Sequence, residues 1–276
     1  MTLQLPSRPN IHHLKEQAKD FLAELKRGQE AALKRMHLHF PHKIVQETIF
    51  TLSDVQFVIA REYGFESWPK LKQHVDGKAL SDSVKQAIKD LKEGRCCILF
   101  DDEARENEGD LVLSAEKVSP QMINFITKYG RGTLCLALTE EYTEKLKLSL
   151  VNPNRQNLNE PAFLNSIDAT SGITTGVSAF DRSKTIEAVV AENANYNFIK
   201  SPGHVFPLKA HPGGIKSRVG HTEGSLELMK LAGLKPAAVI CEILNEDGTM
   251  ARIPDLVQFA SENDLQVVRM SDLIFK

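Results

Sequence analysis

Short apolar runs alternate with amphipathic segments between residues 78 and 276, and this alternation limits the possible folds more than any other feature of the sequence. The run Cys96–Phe100 has the length of a buried strand, and so does Leu134–Leu138. Strands that alternate with helices are typical of α/β proteins, so the sequence predicts that fold class. We expect helices at 82–93, 178–192, 223–232 and 254–263, a helix capped by Ser119, and further strands at 111–113, 238–244 and 266–270.

The first 77 residues predict a different unit, which consists of helices only. Apolar residues in Leu14–Leu25 fall on one face of a helix, and Gly28 is a natural stop after it. The segment Ser53–Gln56 has the spacing of a capping box, and Ser67 is placed to cap another helix. Short helices with short connections indicate a small bundle or an ankyrin-like unit.

A linker-like sequence, Asp76-Gly77-Lys78, separates the two parts, so we predict domains at 1–77 and 78–276. The helical part resembles, loosely, a segment attached to ankyrin-repeat-like proteins, and its partner is unknown. Its histidines at 12, 13, 37, 39 and 42 have spacings that suit a transition metal, although ordinary surface histidines are the preferred interpretation.

The charge balance and the cysteines exclude several classes of protein. The 34 basic and 36 acidic residues leave a net charge of −2, so we predict no bulk electrostatic binding of nucleic acid. No apolar run approaches the roughly 18 residues of a membrane span. The N-terminus lacks the apolar core of a secretory signal, so we predict a cytoplasmic protein without a membrane partner. The four cysteines form no CxxC pair, which favours reduced thiols over disulfides or zinc.

Ten residues between two apolar strands, Asp101–Asp110, include six carboxylates. A turn in this position collects acidic side chains at one end of a sheet, where they repel one another unless water, Arg105 or a cation offsets the charge. Carboxylate oxygens are hard ligands for divalent metals, and carboxyl groups also act as general acids and bases. The run indicates a metal or acid–base site, and a solvated acidic loop stays open as the alternative.

The segment Arg218–Thr222 follows two glycines and precedes a helical run, for which Thr222 is placed to be the N-cap. A glycine-rich loop, an arginine and a helix N-terminus together favour an anion such as phosphate. His221 in this position is able to bind a metal or to move a proton. An ordinary helix start with a surface arginine is the other interpretation.

Four further residues carry weaker signals. His204 lies between Pro-Gly and a short apolar run, which suits a positioned base or a structural histidine. Glu242 interrupts an apolar strand, where a carboxylate must face a polar cavity, find a partner or hold a proton unless the strand edge faces water. Cys135 is most simply a small core residue, and Thr175, in a glycine-flanked turn, either binds phosphate or caps a helix.

In their order along the chain, these segments resemble the 3,4-dihydroxy-2-butanone 4-phosphate synthase family of riboflavin biosynthesis. The resemblance covers residues from about 80 to 276 and rests on DDEARENEGD at 101–110, GITTGVSAFDR at 172–182, PGHVFPL at 202–208, RVGHTEG at 218–224, LAGLKPAAVICEI at 231–243 and NEDGTMAR at 245–252. It implies a layered α-β-α sandwich with a mixed sheet, here preceded by a small all-helical domain. We expect no GTP cyclohydrolase II domain of the kind that is fused to many relatives.

The resemblance also implies an activity. Family members are metal-dependent lyases that convert D-ribulose 5-phosphate into 3,4-dihydroxy-2-butanone 4-phosphate and formate. The cofactor implied is Mg²⁺ or Mn²⁺, with two ions per site, and the assembly implied is a homodimer whose sites lie near the subunit contact.

The family pattern assigns roles to residues of this chain. Glu106 and His221 are the implied metal ligands, and Arg218 with Thr222 is expected to hold the phosphate. The implied substrate-binding set is Arg105, Glu106, Asp110, Thr175, Arg218, Val219, Gly220, His221, Thr222 and Glu242. The implied catalytic set is His204 and Glu242 for proton transfer, with Glu108 and Cys135 in less defined roles.

The chain departs from the family pattern at Leu164, Asn165 and Ser201, and we expect these changes to affect the substrate loop and the turnover rate rather than the metal site. One alternative is a weakly active or inactive paralogue whose helical segment binds a protein partner. Another is a metal-dependent sugar-phosphate isomerase or aldolase, which would release no formate.

Overall fold

Helices alone form the N-terminal unit wherever the structure describes it. The computed structural model describes residues 3, 5, 11–40, 50–76, 80–103, 105–154, 157 and 160–274. The chain divides into two compact units, one that ends at Ser81 and one that spans Asp82–Ile274. The helices of the first unit are α1 (Ile11–Lys26), α2 (Glu30–His39), α3 (Leu52–Glu62) and α4 (Trp68–Asp76).

One apolar core holds these helices together. The predicted stripe on α1 is confirmed, because Leu14, Ala18, Phe21 and Leu25 are each at most 9% exposed. They pack in one cluster with apolar residues of α2, α3 and α4. Each amphipathic helix therefore buries its apolar face within the unit itself, which is where most of the stability of short helices comes from.

The capping box of α3 lies two residues before the predicted one. Thr51 is the N-cap, and its Oγ1 accepts a hydrogen bond from the backbone N–H of Asp54 at 3.3 Å. In return, the Asp54 carboxylate accepts the backbone N–H of Thr51 at 2.9 Å. A charged carboxylate is a stronger acceptor than the amide of Gln56, so the Thr51–Asp54 pair sets the start of the helix and the prediction at Ser53 is wrong.

Three of the predictions for the first unit fall on parts that lie outside the described residues. They are the linker at Gly77 and Lys78, the ligand role of His42 and the side chain of His12. No helix in the described ranges is both long and apolar enough to cross a membrane.

The second unit is a mixed seven-stranded sheet with helices, and the α/β prediction is confirmed. Its helices are α5 (Asp82–Lys92), α6 (Pro120–Phe125), α7 (Glu140–Lys145), α8 (Ala179–Val190), α9 (His221–Ala232) and α10 (Ile253–Asn263). Its strands are β1 (Cys97–Phe100), β2 (Gly109–Ser114), β3 (Cys135–Leu138), β4 (Ile167–Ala169), β5 (Ile199–Lys209), β6 (Ala237–Glu242) and β7 (Gln266–Arg269).

The strand order is β4-β5-β3-β6-β2-β1-β7, with parallel pairing of β3 with β5 and of β1 with β7. The register of β2 and β6 sets Asp110 opposite Glu242, and β3 joins the other edge of β6 with Cys135 opposite Ile240. Side chains of cross-strand pairs lie on the same face of a sheet. The starts of β2 and β3 and the end of β6 therefore bring polar residues together at one end of the sheet.

Strand β5 is longer than any strand predicted from the sequence, and the prediction omits it altogether. Pro202, Gly203 and Pro207 lie within it, and such residues argue against a strand when only the sequence is read. Pairing with β3 on one side and β4 on the other holds the segment extended. A Cβ at position 203 would collide with the backbone of Ile167, so a glycine is needed for the close approach of β4.

Helix α9 begins one residue earlier than the proposed cap. Gly220 is the N-cap, with φ −121° and ψ 160°, and Thr222 is the second residue of the helix. Glycine suits this position because a Cβ at 220 would crowd the guanidinium of Arg218 and the carboxylate of Glu223. The prediction of Thr222 as the N-cap is wrong, and its side chain is left to face the cavity described below.

Separate cores lead to the first testable prediction. A chain of residues 78–276 should fold by itself and keep the activity of the full chain to within a few-fold, and for the activity implied by the resemblance that means release of formate. The reason is that the sheet and its helices bury an apolar core of their own in the described part of the chain. Circular dichroism and a formate assay on both chains would check this. A truncated protein that folds but has no activity would show that the first unit contributes to the active site or to its assembly.

Candidate active site

A cavity opens at the end of the sheet where β2 and β3 begin, β6 ends and α9 starts. Most of the residues proposed from the sequence line it: Arg105, Glu106, Glu108, Asp110, Cys135, Arg218, His221, Thr222 and Glu242. The lining also includes residues that the sequence did not single out: Thr133, Pro161, Phe163, Leu208 and Ile240. Polar groups from four separate segments of the chain thus line one cavity together with several apolar side chains.

Asp101 anchors the acidic loop. It follows β1 directly and its side chain is only 1% exposed. Its Oδ1 accepts the backbone N–H of Glu108 at 2.9 Å, and its Oδ2 accepts the backbone N–H of Glu106 at 3.2 Å. The guanidinium of Arg105 donates to the same Oδ2 at 2.6 Å and also to the Glu106 carboxylate. The loop is therefore an ordered structure built on a buried carboxylate and not a freely solvated run of charge.

Glu106 and His221 face each other across the cavity. The Nδ1 atom of His221 lies 3.6 Å from Oε2 of Glu106 and 3.9 Å from Oδ1 of Asp110. The other ring nitrogen, Nε2, is buried without a hydrogen-bond partner in the described part of the chain. Ligand atoms of Asp101, Glu106 and His221 all lie within 4.8 Å of one another, which is the spacing that a bound cation requires.

The charges of this cluster shift one another's proton affinities. Burial opposes protonation of His221, but the charge of Asp110 and the nearby carboxylate of Glu106 outweigh it and raise the pKa of His221 to about 9. The nearby imidazole of His221 lowers the pKa of Glu106. Burial raises the pKa of Asp110 to about 7, so this carboxyl group can give or take a proton near neutral pH. Burial also raises the pKa of Glu108.

Glu242 is held at the end of β6 by the turn before β3. Its Oε2 accepts the backbone N–H of Thr133 at 2.8 Å. A Cβ at Gly132 would lie 2.6 Å from that same oxygen, so the close approach needs glycine. Beside it, burial and the charges of Glu242 and Asp110 raise the pKa of the Cys135 thiol, which keeps Cys135 protonated at neutral pH and unsuited to act as a thiolate nucleophile.

Arg218 enters the cavity from a buried position. Its Nη1 donates to Oε2 of Glu223 at 2.6 Å, and the two side chains are 8% and 1% exposed. The other carboxylate oxygen of Glu223 accepts the backbone N–H of His211 at 2.8 Å. A cation fixed in this way beside the N-terminus of α9 is suited to an anionic ligand.

His204 and Thr175 do not line the cavity with the other proposed residues. The Nδ1 of His204 lies 2.9 Å from Oδ2 of Asp168, and its side chain is 43% exposed. Gly176, next to Thr175, adjoins this pair closely enough that a Cβ there would lie 2.6 Å from Nδ1 of His204. The two residues thus belong to a second polar cluster near the junction of β4 and β5.

The turn that carries Thr175 owes its shape to Asp181 at the start of α8. This carboxylate accepts the backbone N–H and the hydroxyl of Thr174, at 3.0 and 2.7 Å, and the backbone N–H of Gly176 at 3.0 Å. The hydrogen bonds from Thr174 lower the pKa of Asp181 to about 2. The hydroxyl of Thr174 is therefore used within the turn, whereas Thr175 is exposed.

Two other proposed substrate residues and the three departures also lie off the cavity lining. Val219 is 39% exposed, and Gly220 serves the close packing of Arg218 described above. Leu164 is 2% exposed in an isolated bridge with Leu150, and Ser201 donates its hydroxyl to the carbonyl of Ser166.

Several residues that hold the site together were not singled out from the sequence. Asp101 was noted only as one of the six carboxylates of the acidic run, without a structural role. Nothing in the sequence indicated the roles of Glu223, Asp168 and Thr133. Each of these residues contacts its partner only in the folded chain: Glu223 contacts Arg218, Asp168 contacts His204, and Thr133 contacts Glu242.

Comparison with known proteins identifies the family. A model of the family described as 3,4-dihydroxy-2-butanone 4-phosphate synthase matches residues 85–275. The riboflavin biosynthesis protein RibBA of Aquifex aeolicus (strain VF5) is 51% identical over 195 residues, which are 70% of this chain and 48% of that protein. The 3,4-dihydroxy-2-butanone 4-phosphate synthase of Syntrophotalea carbinolica (strain DSM 2380 / NBRC 103641 / GraBd1) is 47% identical over 192 residues, or 70% of this chain and 88% of that one.

A solved structure agrees with these matches. It is described as 3,4-dihydroxy-2-butanone 4-phosphate synthase in complex with two magnesium ions, and it matches with a TM-score of 0.66 and 35% identity over 70% of this chain and 95% of that chain. This chain spans about half the length of the Aquifex relative, and the family model covers well over half of this chain. The chain therefore belongs to the 3,4-dihydroxy-2-butanone 4-phosphate synthase family.

Proposed function

We propose that this protein converts D-ribulose 5-phosphate into 3,4-dihydroxy-2-butanone 4-phosphate and formate, as a divalent-metal-dependent lyase of riboflavin biosynthesis. The observation that carries the proposal is the cavity in which Glu106, Asp110, His221 and Glu242 converge in a chain of this family. The metal is proposed to be Mg²⁺ or Mn²⁺, with two ions per site. A relative of this chain has been solved with two magnesium ions.

The residues present fit a divalent cation. His221 has a buried ring nitrogen without a described partner, and a metal is the natural occupant of such a nitrogen. At the other ring nitrogen, Nδ1, Glu106 supplies a hard carboxylate oxygen at 3.6 Å, and ligand atoms of Asp101, Glu106 and His221 lie within 4.8 Å of one another. When bound, the cation would lower the pKa of sugar hydroxyl groups and offset negative charge that develops on the substrate.

The remaining side chains bind and orient the sugar phosphate. Arg218, fixed by Glu223, and the backbone N–H groups at the start of α9 would hold the phosphate, with Thr222 beside them. Arg105 and Asp110 would orient the sugar. Binding energy from the phosphate, which does not react, holds the sugar carbons against the carboxylates and so lowers the entropic cost of the reaction.

Proton transfers need groups that change charge near neutral pH. Asp110 has this property through burial, and the carboxylate of Glu242 lies across the strand pair from it. We propose that Glu242 moves protons to and from the sugar. Glu108 lines the cavity beside the other carboxylates. The Cys135 thiol stays protonated, so it would fill space in the cavity and would not act as a nucleophile.

A formate assay tests the proposal against its alternatives. D-ribulose 5-phosphate with Mg²⁺ should yield formate in amounts equal to the four-carbon product. A sugar-phosphate isomerase or aldolase would consume the sugar without formate, and an inactive paralogue would leave it unchanged. The presence of Glu106, His204, His221 and Glu242 favours the synthase.

Substitution of Arg218 should act mainly on substrate binding. Loss of a charge-assisted contact with phosphate should raise the KM of Arg218→Ala by about tenfold or more, with a smaller change in kcat. Because the substitution leaves the Glu223 carboxylate buried without its partner, circular dichroism must accompany the kinetics, and Arg218→Lys should show a smaller rise. Lys216→Ala, an exposed lysine in the preceding turn, is the matched control. An unchanged KM in folded Arg218→Ala would refute the phosphate role.

We propose a homodimer that brings His204 of one subunit to the cavity of the other. His204 is exposed and lies off the cavity of its own chain. Gly176 lies close to it, and Val177 and Phe180, which follow Gly176 in the sequence, are 56% and 50% exposed. Apolar residues so exposed often mark a subunit contact. A cytoplasmic location stays a prediction.

Mixing inactive variants would test this dimer. His204→Ala and Glu106→Gln should each lack activity alone, and refolded mixtures should regain formate release, because one site of each mixed dimer keeps both residues. A mixture that forms mixed dimers by mass measurement but regains no activity would place His204 in its own subunit's site or outside catalysis.

A further inference from the structure

Arg252 ends the segment NEDGTMAR, to which the proposed reaction assigns no role. The segment folds back as a hairpin after β6: Asn245 N–H donates to the carbonyl of Thr249 at 2.8 Å, and Gly248 takes the turn with φ +87°. Ala251 N–H then donates to the carbonyl of Ile243 at 3.0 Å. The fold-back brings Arg252 to the start of α10, beside the acidic loop.

The backbone of Arg252 is itself fixed. Its N–H donates to Oδ2 of Asp255 in the first turn of α10, at 2.9 Å. The same helix packs on the acidic loop through Leu256, whose methyl groups would collide with a Cβ at position 109, so Gly109 is needed for that contact. The acidic loop and Arg252 therefore both pack against the start of α10.

The guanidinium of Arg252 reaches the backbone of the acidic loop. Its Nη1 donates to the carbonyl oxygen of Glu106 at 2.8 Å and to the carbonyl oxygen of Asn107. Asn107 has φ +55°, a left-handed conformation that asparagine tolerates better than most residues, and this conformation turns its carbonyl group to Arg252. The carboxylate of Glu108 lies 4.0 Å from the same Nη1, beyond direct hydrogen-bond reach.

Both sides of Glu106 are thus held. Its N–H donates inward to the buried carboxylate of Asp101, and its C=O accepts from Arg252. With its peptide groups held in this way, the carboxylate of Glu106 lies between the guanidinium of Arg105, at 2.6 Å, and Nδ1 of His221, at 3.6 Å. Substitution of a group that orients a metal ligand typically lowers metal affinity or activity by about 10-fold to 100-fold.

We propose that Arg252 is a positioning residue for the metal site, which holds the peptide groups of Glu106 and Asn107 so that the Glu106 carboxylate stays beside His221. This inference rests on the proposed metal-binding role of Glu106 and His221. Arg252 touches neither of those side chains in the contacts described, and it acts on the metal only through the backbone of the loop.

The direction in which metal affinity changes when Arg252 is substituted distinguishes a positioning role from a purely electrostatic one. Arg252 is a cation close to a cation site, so through charge alone its removal would strengthen the binding of a divalent metal. Through positioning, its removal weakens that binding, because Glu106 loses its fixed orientation. Arg252→Met removes the charge and keeps the length of the side chain. Arg252→Lys keeps the charge but replaces the planar guanidinium, whose Nη1 donates to both carbonyl groups, with a shorter and more mobile ammonium group.

The experiment is a titration of the full-length protein with Mn²⁺ alone, in which electron paramagnetic resonance measures the free ion. Arg252→Met should raise the Kd for Mn²⁺ by about tenfold to a hundredfold, and Arg252→Lys should give a smaller rise. Lys235→Met is the matched control, since its ammonium group also donates to a backbone carbonyl, that of Val190 at 2.8 Å, and it precedes β6 at the end of the strand away from Glu242. It should bind Mn²⁺ as the wild type does.

Two further readouts exclude a merely structural effect. Hydrogen exchange in the metal-free protein should quicken at the amides of 105–108 in Arg252→Met and stay unchanged in the helices of the second unit. Activity should recover at high Mg²⁺, so that the metal concentration for half-maximal rate rises while kcat is largely kept. If Arg252→Met does not fold, Arg252→Lys carries the same comparison.

The possible failures can be told apart. If the wild type binds no Mn²⁺, the proposed metal site itself is wrong. If the wild type binds Mn²⁺ and folded Arg252→Met binds it equally or more tightly, the positioning role is overturned while the metal site stands. If Mn²⁺ binding weakens without faster exchange in the loop, Arg252 does not act through the backbone of Glu106 and the inference is likewise overturned.

Discussion

Formate release from D-ribulose 5-phosphate should fall to background when EDTA removes divalent cations, and added Mg²⁺ should restore it. Four carboxylates line the cavity, namely those of Glu106, Glu108, Asp110 and Glu242. The two arginines of the lining are already engaged, Arg105 with Asp101 and Glu106, and Arg218 with Glu223. Negative charge that develops on the sugar would therefore meet mainly like charge, and a cation bound at Glu106 and His221 would offset it.

The measurement is a coupled formate assay on dialysed protein with and without excess EDTA. EDTA that has been saturated with Mg²⁺ beforehand is the control for any effect of the chelator other than metal removal. Circular dichroism should stay unchanged, because the sheet and its apolar core form without the cavity residues. Full activity in excess EDTA would contradict the metal-dependent mechanism.

Glu106→Gln and His221→Ala should each lower kcat by roughly 10²-fold or more, which is the effect of removing a main electrostatic contribution to a transition state. Gln keeps the shape of Glu106 but loses the charge that attracts a cation. Ala at 221 removes the ring whose Nε2 is buried without a described partner and whose Nδ1 faces Glu106. Both variants should also bind Mn²⁺ more weakly, which links the loss of rate to the loss of metal.

Matched controls separate these effects from general changes in charge or fold. Glu103→Gln removes an exposed carboxylate from the same loop, and His37→Ala removes an exposed histidine of the first unit. Both should keep near wild-type activity. Near-full activity in Glu106→Gln or in His221→Ala would mean that the ligand role had been assigned to the wrong residue.

Local patterns in the sequence predicted most of the second unit. The strands β1, β3, β6 and β7 and the helices α5, α8 and α10 lie within one to three residues of the predicted positions, because apolar periodicity reports burial directly. The start of α9 was misplaced because the close contact between Gly220 and Arg218 is not a cap signal. Strand β5 was missed because its prolines and glycine conceal a pairing that only β3 and β4 supply.

The candidate site was likewise predicted only in part from the sequence. The run at 101–110 and the segment RVGHT predicted two clusters that the structure joins in one cavity, since their chemistry is written in residue type and spacing. His204 and Thr175 were expected in that same group, and within one chain they lie in a second cluster. The spacing of residues in the sequence does not predict this separation. His204 lies in β5, and the position of β5 between β4 and β3 in the sheet decides which of its residues lie near the cavity.

Residue identity and local periodicity were sufficient for the fold class, for most element positions and for the chemical nature of the site. Only the tertiary structure decides which groups orient that chemistry. The Glu106 carbonyl meets Arg252 across 146 residues of chain, and Thr133 meets Glu242 across 109. Such contacts depend on strand order and on the packing of α10 against the acidic loop. A hydrogen bond needs its two atoms within a few tenths of an ångström of the right distance, and only the folded chain brings groups so far apart in sequence to that precision.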